Sequence, residues 1–174
     1  YADDSAAARL PAVGSYLDRG QLAQARKTLN ECLAENSDNP AVWVMEGRVL
    51  FAEGQIDNSR RAFDKAVALD SRYAEAYFYR GALEQSEDDA ALALSNYQQA
   101  AALDTLNPNF RLAVAEMLIL NDQRDQAVTL MVDGSSTFRN SETLAQAGSI
   151  AARCGDWDRA AEFYKKALTG KPHD

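Results

Sequence analysis

Histidine and cysteine are scarce in this chain, which has one histidine and two cysteines among its 174 residues. A Ser-His or Cys-His pair for nucleophilic catalysis, or a set of zinc ligands, needs these residue types in groups. No such group can be built around His173, and no glycine-rich phosphate-binding loop is present. We therefore expect a protein that is not an enzyme, with no catalytic residues, no metal site and no cofactor.

Long apolar runs and an excess of positive charge are also lacking. No run approaches the length of about 18 residues that a transmembrane helix needs. The chain has 18 Lys and Arg against 26 Asp and Glu, a net charge of -8. Phosphate backbones and anionic membranes are bound by basic surfaces, so we expect neither nucleic acid binding nor direct membrane insertion.

The first residue, Tyr1, is not a methionine, and no charged-then-apolar leader follows it. This start favours a processed or excised piece of a longer protein. The compartment is left open between the cytoplasm and, if a leader was removed, the bacterial periplasm.

What the sequence does contain is an internal repeat. The segment 43–47 aligns with 77–81 at an offset of 34 residues, and the pair Leu69-Asp70 aligns with Leu103-Asp104 at the same offset. Extending this frame divides a single domain, 1–174, into five repeats: 6–39, 40–73, 74–107, 108–140 and 141–174. An internal repeat of this length is typical of solenoid proteins.

Four positions of the repeat keep their character along the chain. A small residue in the first half of each repeat is Val13, Gly47, Gly81, Ala115 and Gly148, where only the valine is a poor match. The second half has a small residue, then a large one, then another small one. These are Ala25, Ser59, Ala93, Ala127 and Ala160; Leu29, Phe63, Tyr97, Met131 and Tyr164; and Cys32, Ala66, Ala100, Gly134 and Ala167.

The spacing of apolar residues and the residues typical of helix ends predict two helices in each repeat. Apolar residues recur at helical spacing within repeat two, and small residues at fixed sites allow two helices to approach closely. Gly20, Gly54 and Gly155 stand at the bend between the two helices, where a left-handed cap is needed. Asn39-Pro40 and Asn107-Pro108 are each typical of an N-cap followed by proline in the first helical position.

This pattern resembles the tetratricopeptide repeat family, whose unit is a helix-turn-helix of 34 residues. Repeat two has Trp43, Gly47, Phe63 and Ala66 at the signature positions, and repeat five has Gly148, Ala160, Tyr164, Ala167 and Pro172. Glu46 and Arg80 depart from the family's usual leucine. The resemblance implies an all-α, right-handed superhelical solenoid of antiparallel helix pairs, with about ten helices.

Two repeats and one helix end break the pattern. Pro11 and Gly14 lie inside the first helix of repeat one, which predicts a short, kinked or frayed helix. The second helix of repeat four is expected to stop early, around Val132, with a flexible joint over 133–140. The helix over 158–168 has an apolar face that nothing covers, so we expect a capping helix or another chain over it.

The resemblance also implies a binding surface, because first helices of this family commonly line a concave groove. The corresponding residues are Val44, Met45, Arg48, Phe51, Glu75, Phe78, Tyr79, Gln85, Asn109, Leu112, Glu116 and Ile119. Arg48 and Glu116 would orient a ligand, and the apolar members would anchor a peptide. Several of them, Phe51 and Ile119 especially, can equally pack between helices.

One specialised use of the groove is excluded. Family members that clamp C-terminal carboxylates use lysines and asparagines on first helices, but the matching sites here are Gly14, Arg48, Ala82 and Glu116. Binding of RNA, as in related helical repeats, would need a basic groove, which the acidic composition does not favour.

Cys32 falls on a buried small-residue site, and Cys154 ends a first helix and is expected to be partly exposed. The two lie near opposite ends of the array, which disfavours a disulfide between them.

Glu46 and Arg80 occupy equivalent sites in adjacent repeats, and we hypothesise that they approach one another.

Three functions are consistent with the sequence. The first is a scaffold or adaptor that binds a peptide or protein segment in the groove. The second is self-assembly, as a homo-oligomer, through the uncapped C-terminal helix. The third is a substrate-recruiting arm of a larger enzyme or secretion complex.

Overall fold

The computed structural model describes residues 6–169, which form ten α-helices and one short 3-10 turn and contain no strand within that range. The all-α prediction is therefore confirmed. The helices are α1 Ala6–Asp18, α2 Leu22–Glu35, α3 Pro40–Ala52, α4 Ile56–Leu69, α5 Ala74–Ser86, α6 Ala90–Leu103, α7 Pro108–Leu120, α8 Arg124–Asp133, α9 Ser141–Arg153 and α10 Trp157–Thr169.

The helix starts follow the spacing of the sequence repeat. Helices α3, α5 and α7 begin at Pro40, Ala74 and Pro108, and α9 begins at Ser141. The Asn-Pro pairs act as predicted: the side chains of Asn39 and Asn107 accept hydrogen bonds from the second helical amide, at 2.9 and 3.1 Å.

The chain divides into two compact units, an N-terminal unit over 1–87 and a C-terminal unit over 88–174. In the N-terminal unit, α3 packs against α4 and also contacts α1, α2 and α5. In the C-terminal unit, α7 contacts α6, α8 and α9, and α9 packs against α10. Each unit therefore buries its apolar faces by laying neighbouring helices side by side.

The fixed small residues are the places where two helices meet most closely. The backbone of Gly47 lies against the ring of Phe63, so that a Cβ atom on this glycine would be 2.4 Å from a ring carbon. The hydroxyl of Ser59, on α4, donates to the carbonyl of Gly47 at 2.8 Å. Because Ser59 is fully buried, this hydrogen bond replaces the one that water would otherwise provide. The small-and-large pattern of the repeat is thus a contact between the two helices of one pair.

The bends between helices use a left-handed residue, as predicted. Gly20, Gly54 and Gly155 have φ values of 69°, 77° and 85°. The equivalent positions in the other two repeats are aspartates, Asp88 and Asp122, with φ values of 62° and 58°. Aspartate tolerates this conformation better than most residues, so the turn survives without glycine.

Helix α1 corrects one expectation. It runs for 13 residues, the same length as α3, α5, α7 and α9, although Pro11 lies inside it. The prediction that this helix is short is therefore wrong, while a kink or fraying at Pro11 stays a prediction. Leu10 and Val13 are buried in the core while Pro11 is exposed, so burial of the opposite face holds the helix through the proline.

The early end of the second helix in repeat four is confirmed. Helix α8 has 10 residues and ends at Asp133, where α2, α4 and α6 have 14. A 3-10 turn over Ser135–Thr137 follows, and then Phe138 is fully buried with its ring 6.0 Å from that of Phe163. The flexible joint over 133–140 stays a prediction.

Two observations complete the picture of residues 6–169. None of these helices is both long and apolar enough to cross a membrane. Among these residues no cluster of three or more metal-ligating side chains occurs. The predicted positions Pro172 and His173 lie outside the described residues.

Candidate partner-binding surface

The N-terminal unit contains an apolar cavity of about 290 Å³ between its first helices. Helix α1 contributes Leu17 and Asp18, α3 contributes Arg48 and Phe51, and α5 contributes Tyr79. The remaining lining comes from Ala52, Phe63, Ala82 and Leu83. The first helices of three consecutive repeats thus meet at one hollow, and three of the predicted groove residues line it.

Arg48 is the only cation lining this cavity, and its partners hold it in place. Its guanidinium lies 4.7 Å from the centroid of the Tyr79 ring, a cation–π distance, and donates to the sulfur of Met45 at 3.3 Å. The nearest carboxylate oxygen belongs to Asp18, at 3.8 Å, whose side chain is 76% exposed. An ion pair at this distance with an exposed carboxylate is weak, so the guanidinium of Arg48 can exchange Asp18 for another anion.

The ring of Tyr79, which contacts Arg48, packs in turn against two further aromatic rings. The rings of Tyr79 and Phe63 stack with centroids 6.3 Å apart, and Phe78 meets Tyr79 edge-to-face at 5.2 Å. Phe63 is buried, whereas Phe51 at the cavity is 41% exposed. The hollow therefore has a rigid aromatic wall and a large exposed ring, which is the composition of a side-chain binding pocket.

The other predicted residues of this unit are placed differently. Val44 is buried at 2% exposure in the cluster around Phe63 and Leu83, so it presents almost no surface. Met45 packs partly against the core between α1, α2 and α3. Glu75, in the first turn of α5, is exposed.

The predicted residues of α7 belong to the C-terminal unit. Leu112 is buried at 6% exposure and so packs between helices, while Asn109 is exposed. The carboxylate of Glu116 accepts a hydrogen bond from Arg153 of α9. Glu116, which the sequence suggested would orient a ligand, is therefore already paired with Arg153.

The approach of Glu46 to Arg80 stays a hypothesis, and each of the two has another ion-pair partner in the structure. Glu46 accepts from Arg26 of α2 at 2.6 Å, and Arg80 pairs with Asp64 of α4 at 3.0 Å and lies over the ring of Tyr77. Each pair joins a second helix to the first helix that follows it in the chain. The preceding second helix thus provides an ion-pair partner for each of these two residues.

Sequence reasoning missed the ion-pair network around Arg26. Its guanidinium also donates to both carboxylate oxygens of Glu53, at 3.0 and 2.8 Å. These hydrogen bonds and the adjacent positive charge lower the pKa of Glu53. One repeat later, Arg60 donates to both oxygens of Glu84 at 3.1 Å, which raises the pKa of Arg60. Arg26 and Arg60 are 34 residues apart and so occupy the same position of the repeat, which was the one sequence signal that could have indicated equivalent ion pairs.

Neither of the two cysteines, which both lie within residues 6–169, takes part in a disulfide. Cys32 is fully buried on its small-residue site and Cys154 is partly exposed, as the repeat predicted. Burial raises the pKa of both thiols above the ordinary value, so neither is an activated thiolate.

These helix pairs define a class of protein, the TPR-like α-solenoid, and solved structures share its fold. A TPR protein of Thermus thermophilus, TTC0263, is 19% identical with a TM-score of 0.75 and covers 98% of this chain and 93% of its own. The pilF protein of Pseudomonas aeruginosa is 19% identical with a TM-score of 0.77, covering 99% and 79%. YrrB is 17% identical with a TM-score of 0.59, covering 92% and 83%.

The family model described as TPR repeat matches residues 47–88. Residues 47–88 therefore match a TPR repeat, and the shared fold extends TPR-like helix pairs along the chain, as the resemblance predicted. None of the curated protein sequences matches the chain.

Proposed function

We propose that this chain is a non-catalytic protein-interaction scaffold that binds a polypeptide segment against the first helices of its N-terminal unit. The observation that carries the proposal is the cavity of about 290 Å³, where Arg48, Phe51 and Tyr79 converge. Its size is at the lower end of ligand pockets and suits one large apolar side chain rather than a cofactor. Peptide recognition in such hollows relies on a few buried anchors of this kind.

Similarity to other repeat proteins supports the proposal. YrrB, which shares the fold, is described as a TPR protein with an unusual peptide-binding site. The anchor pocket of the present chain differs from a carboxylate clamp, because its lining is mostly apolar and Arg48 is its only cation. We therefore expect the partner segment to be held by an apolar side chain rather than by a free chain terminus.

Selection of peptides from a displayed random library, followed by affinity measurement, tests this function. The double variant Arg48→Glu, Tyr79→Ala removes both the cation and the aromatic wall, and we expect it to weaken binding of selected peptides by more than about tenfold. Arg72→Glu is the matched control, because Arg72 is exposed and lies outside the cavity. Unchanged affinity in the double variant, with helicity retained by circular dichroism, would refute the proposed surface.

Self-association is a second candidate, which one observation favours. Trp157, Tyr164 and Leu168 are 70%, 40% and 89% exposed, and Ala161 is exposed between them. These four residues share one face of α10 because they recur at helical spacing. In repeats one to four the residue equivalent to Tyr164 is buried at 3% or less.

Light scattering after gel filtration tests self-association. If α10 docks on another copy, the mass should rise with protein concentration, and Leu168→Glu should return it to that of a monomer. A wild-type mass that stays monomeric at the highest concentration reached would exclude this candidate.

A further inference from the structure

One position of the repeat changes its chemistry in repeat four. Trp43, Tyr77 and Arg111 follow one another at the 34-residue offset. Each donates a side-chain hydrogen bond to a backbone carbonyl six residues earlier, at 2.6, 3.1 and 3.3 Å respectively. Arg111 therefore takes the structural place of an aromatic residue, and the ring that fills this place in repeats two and three is missing from repeat four.

A cavity of about 620 Å³ lies beside this position, between α6, α7 and α8 of the C-terminal unit. Its apolar lining consists of Ala101, Ala102, Val114, Leu118 and Leu130. The charged side chain of Arg111 also lines the cavity. The exposed carboxylates of Asp125 and Asp133 also line it. The cavity thus combines an apolar wall and a single cation with acidic groups that face solvent.

The guanidinium of Arg111 is incompletely paired. Its Nε atom is buried and has no hydrogen-bond partner, and its one side-chain hydrogen bond is the long one to Thr105. Within the part of the chain that the structure describes, the partly buried arginines 9, 26, 48, 60 and 80 all have a carboxylate within ion-pair distance, and Arg111 has none. A guanidinium without a carboxylate partner can form charge-assisted hydrogen bonds with an anion from solution.

Two neighbouring changes in repeat four make room for the guanidinium. Gly134 stands where repeats two and three have Ala66 and Ala100, and a Cβ atom on it would lie 2.1 Å from the Cδ of Arg111. Helix α8 ends one residue before this glycine. The glycine at position 134 and the early end of α8 therefore accommodate the side chain of Arg111. An arginine that simply pointed into solvent would need neither change.

We propose that this cavity binds a carboxylate attached to an apolar body the size of one aromatic ring. The carboxylate accepts hydrogen bonds from the terminal nitrogens of Arg111, which the planar guanidinium presents side by side. The ring fills the apolar space beside Val114 and Leu118. Asp125 and Asp133 repel the anion, so the affinity rises when either is neutralised. This site is independent of the cavity in the N-terminal unit.

Such a carboxylate has two possible sources, a free organic acid and the C-terminal residue of a polypeptide. Titrations of the ¹⁵N-labelled chain with phenylacetate, N-acetyl-phenylalanine and N-acetyl-phenylalanine amide separate them. We expect the acids to shift amides within 98–133, and the amide to bind at least about tenfold more weakly because it lacks the charge. Binding of phenylacetate alone indicates a free acid, and binding of both acids indicates a chain terminus. The absence of such shifts with either acid at about 10 mM would overturn the proposal.

Variants at the cation complete the test. Arg111→Met removes the anion partner, and Arg111→Tyr restores the residue of repeat three and fills the cavity, so both should abolish binding of the acids. Asp133→Asn should lower the dissociation constant about threefold, and Arg124→Met, on α8 but outside the lining, should leave it unchanged. Retained affinity in Arg111→Met or in Arg111→Tyr would show that the guanidinium does not hold the carboxylate.

Discussion

Close contact between a glycine and an aromatic ring sets the distance between α3 and α4. A Cβ atom on Gly47 would overlap the Phe63 ring, whereas one on Gly14 would be 3.7 Å from its nearest neighbour. Gly47→Ala should therefore lower the free energy of unfolding by about 2 kcal/mol through overpacking. Gly14→Ala, which also adds a methyl group inside a first helix, should raise it by about 0.5–1 kcal/mol.

Urea denaturation of both variants measures this difference directly. Equal stabilities for the two alanine variants would show that the small-residue position does not control helix packing.

The Arg26–Glu53 pair gives stability a defined dependence on pH. Because Arg26 lowers the native pKa of Glu53, the carboxylate stabilises the folded chain fully above its ordinary pKa of 4.5. That contribution is lost as the pH falls through the lowered native value. Glu53→Gln should therefore be less stable than the wild type by about 1 kcal/mol at pH 7 and equally stable in strong acid.

The exposed Glu75 provides the control for this experiment, since none of the ion pairs formed within residues 6–169 includes it. Urea denaturation of Glu75→Gln between pH 2 and 7 should parallel that of the wild type. A stability difference for Glu53→Gln that does not shrink as the pH falls would contradict the assigned ion pair.

Single-residue packing was largely predictable, whereas side-chain pairing was not. The repeat predicted buried small and large residues, and of the five large positions only Tyr164 is substantially exposed. The pairing of Glu46 with Arg26 was missed, because a sequence repeat shows which sites are equivalent but not which helix lies opposite each site. Ion pairs depend on that neighbour and on side-chain rotamers.

At the scale of the helix pair, the left-handed residue of each bend governs the turn. Gly54 has a φ of 77° and no atom within 4 Å of an added Cβ, so Gly54→Ala tests backbone conformation alone. We expect this variant to lose about 1 kcal/mol of unfolding free energy. Asp122→Gly, at a φ of 58°, should change stability in the opposite direction by about 0.5 kcal/mol.

Thermal unfolding of the two turn variants checks the prediction. A Gly54→Ala variant as stable as the wild type would mean that the bend accepts another conformation.

Helix positions could be predicted well because periodicity, caps and breakers agree along most of the chain. The Asn-Pro starts and the early end of α8 are examples. Pro11 misled the prediction, since local propensity opposes a helix there while burial of Leu10 and Val13 favours one. The positive φ values of Asp88 and Asp122 were not predicted. Glycine is a strong sequence signal for this conformation, whereas aspartate also occurs in many other backbone conformations.

For the whole molecule, the repeat predicted the fold class but only part of the candidate surface. Of the predicted groove residues, Arg48, Phe51 and Tyr79 line one cavity, while Val44 and Leu112 are buried. Adjacent positions on a first helix differ by about 100° in direction, so a small rotation decides whether a side chain faces a ligand or a neighbouring helix. The cavity beside Arg111 was not anticipated, because the change there appears only when the hydrogen bonds of three repeats are compared.

Amide-resolved NMR of the ¹⁵N-labelled chain, titrated with a library-selected peptide, identifies the residues that the peptide contacts. Binding in the cavity of the N-terminal unit predicts shifts concentrated on α3 and α5, around Arg48, Phe51 and Tyr79, and their loss in the Arg48→Glu, Tyr79→Ala variant. Shifts confined to the outer faces of α2 and α4, with none at these three residues, would contradict it.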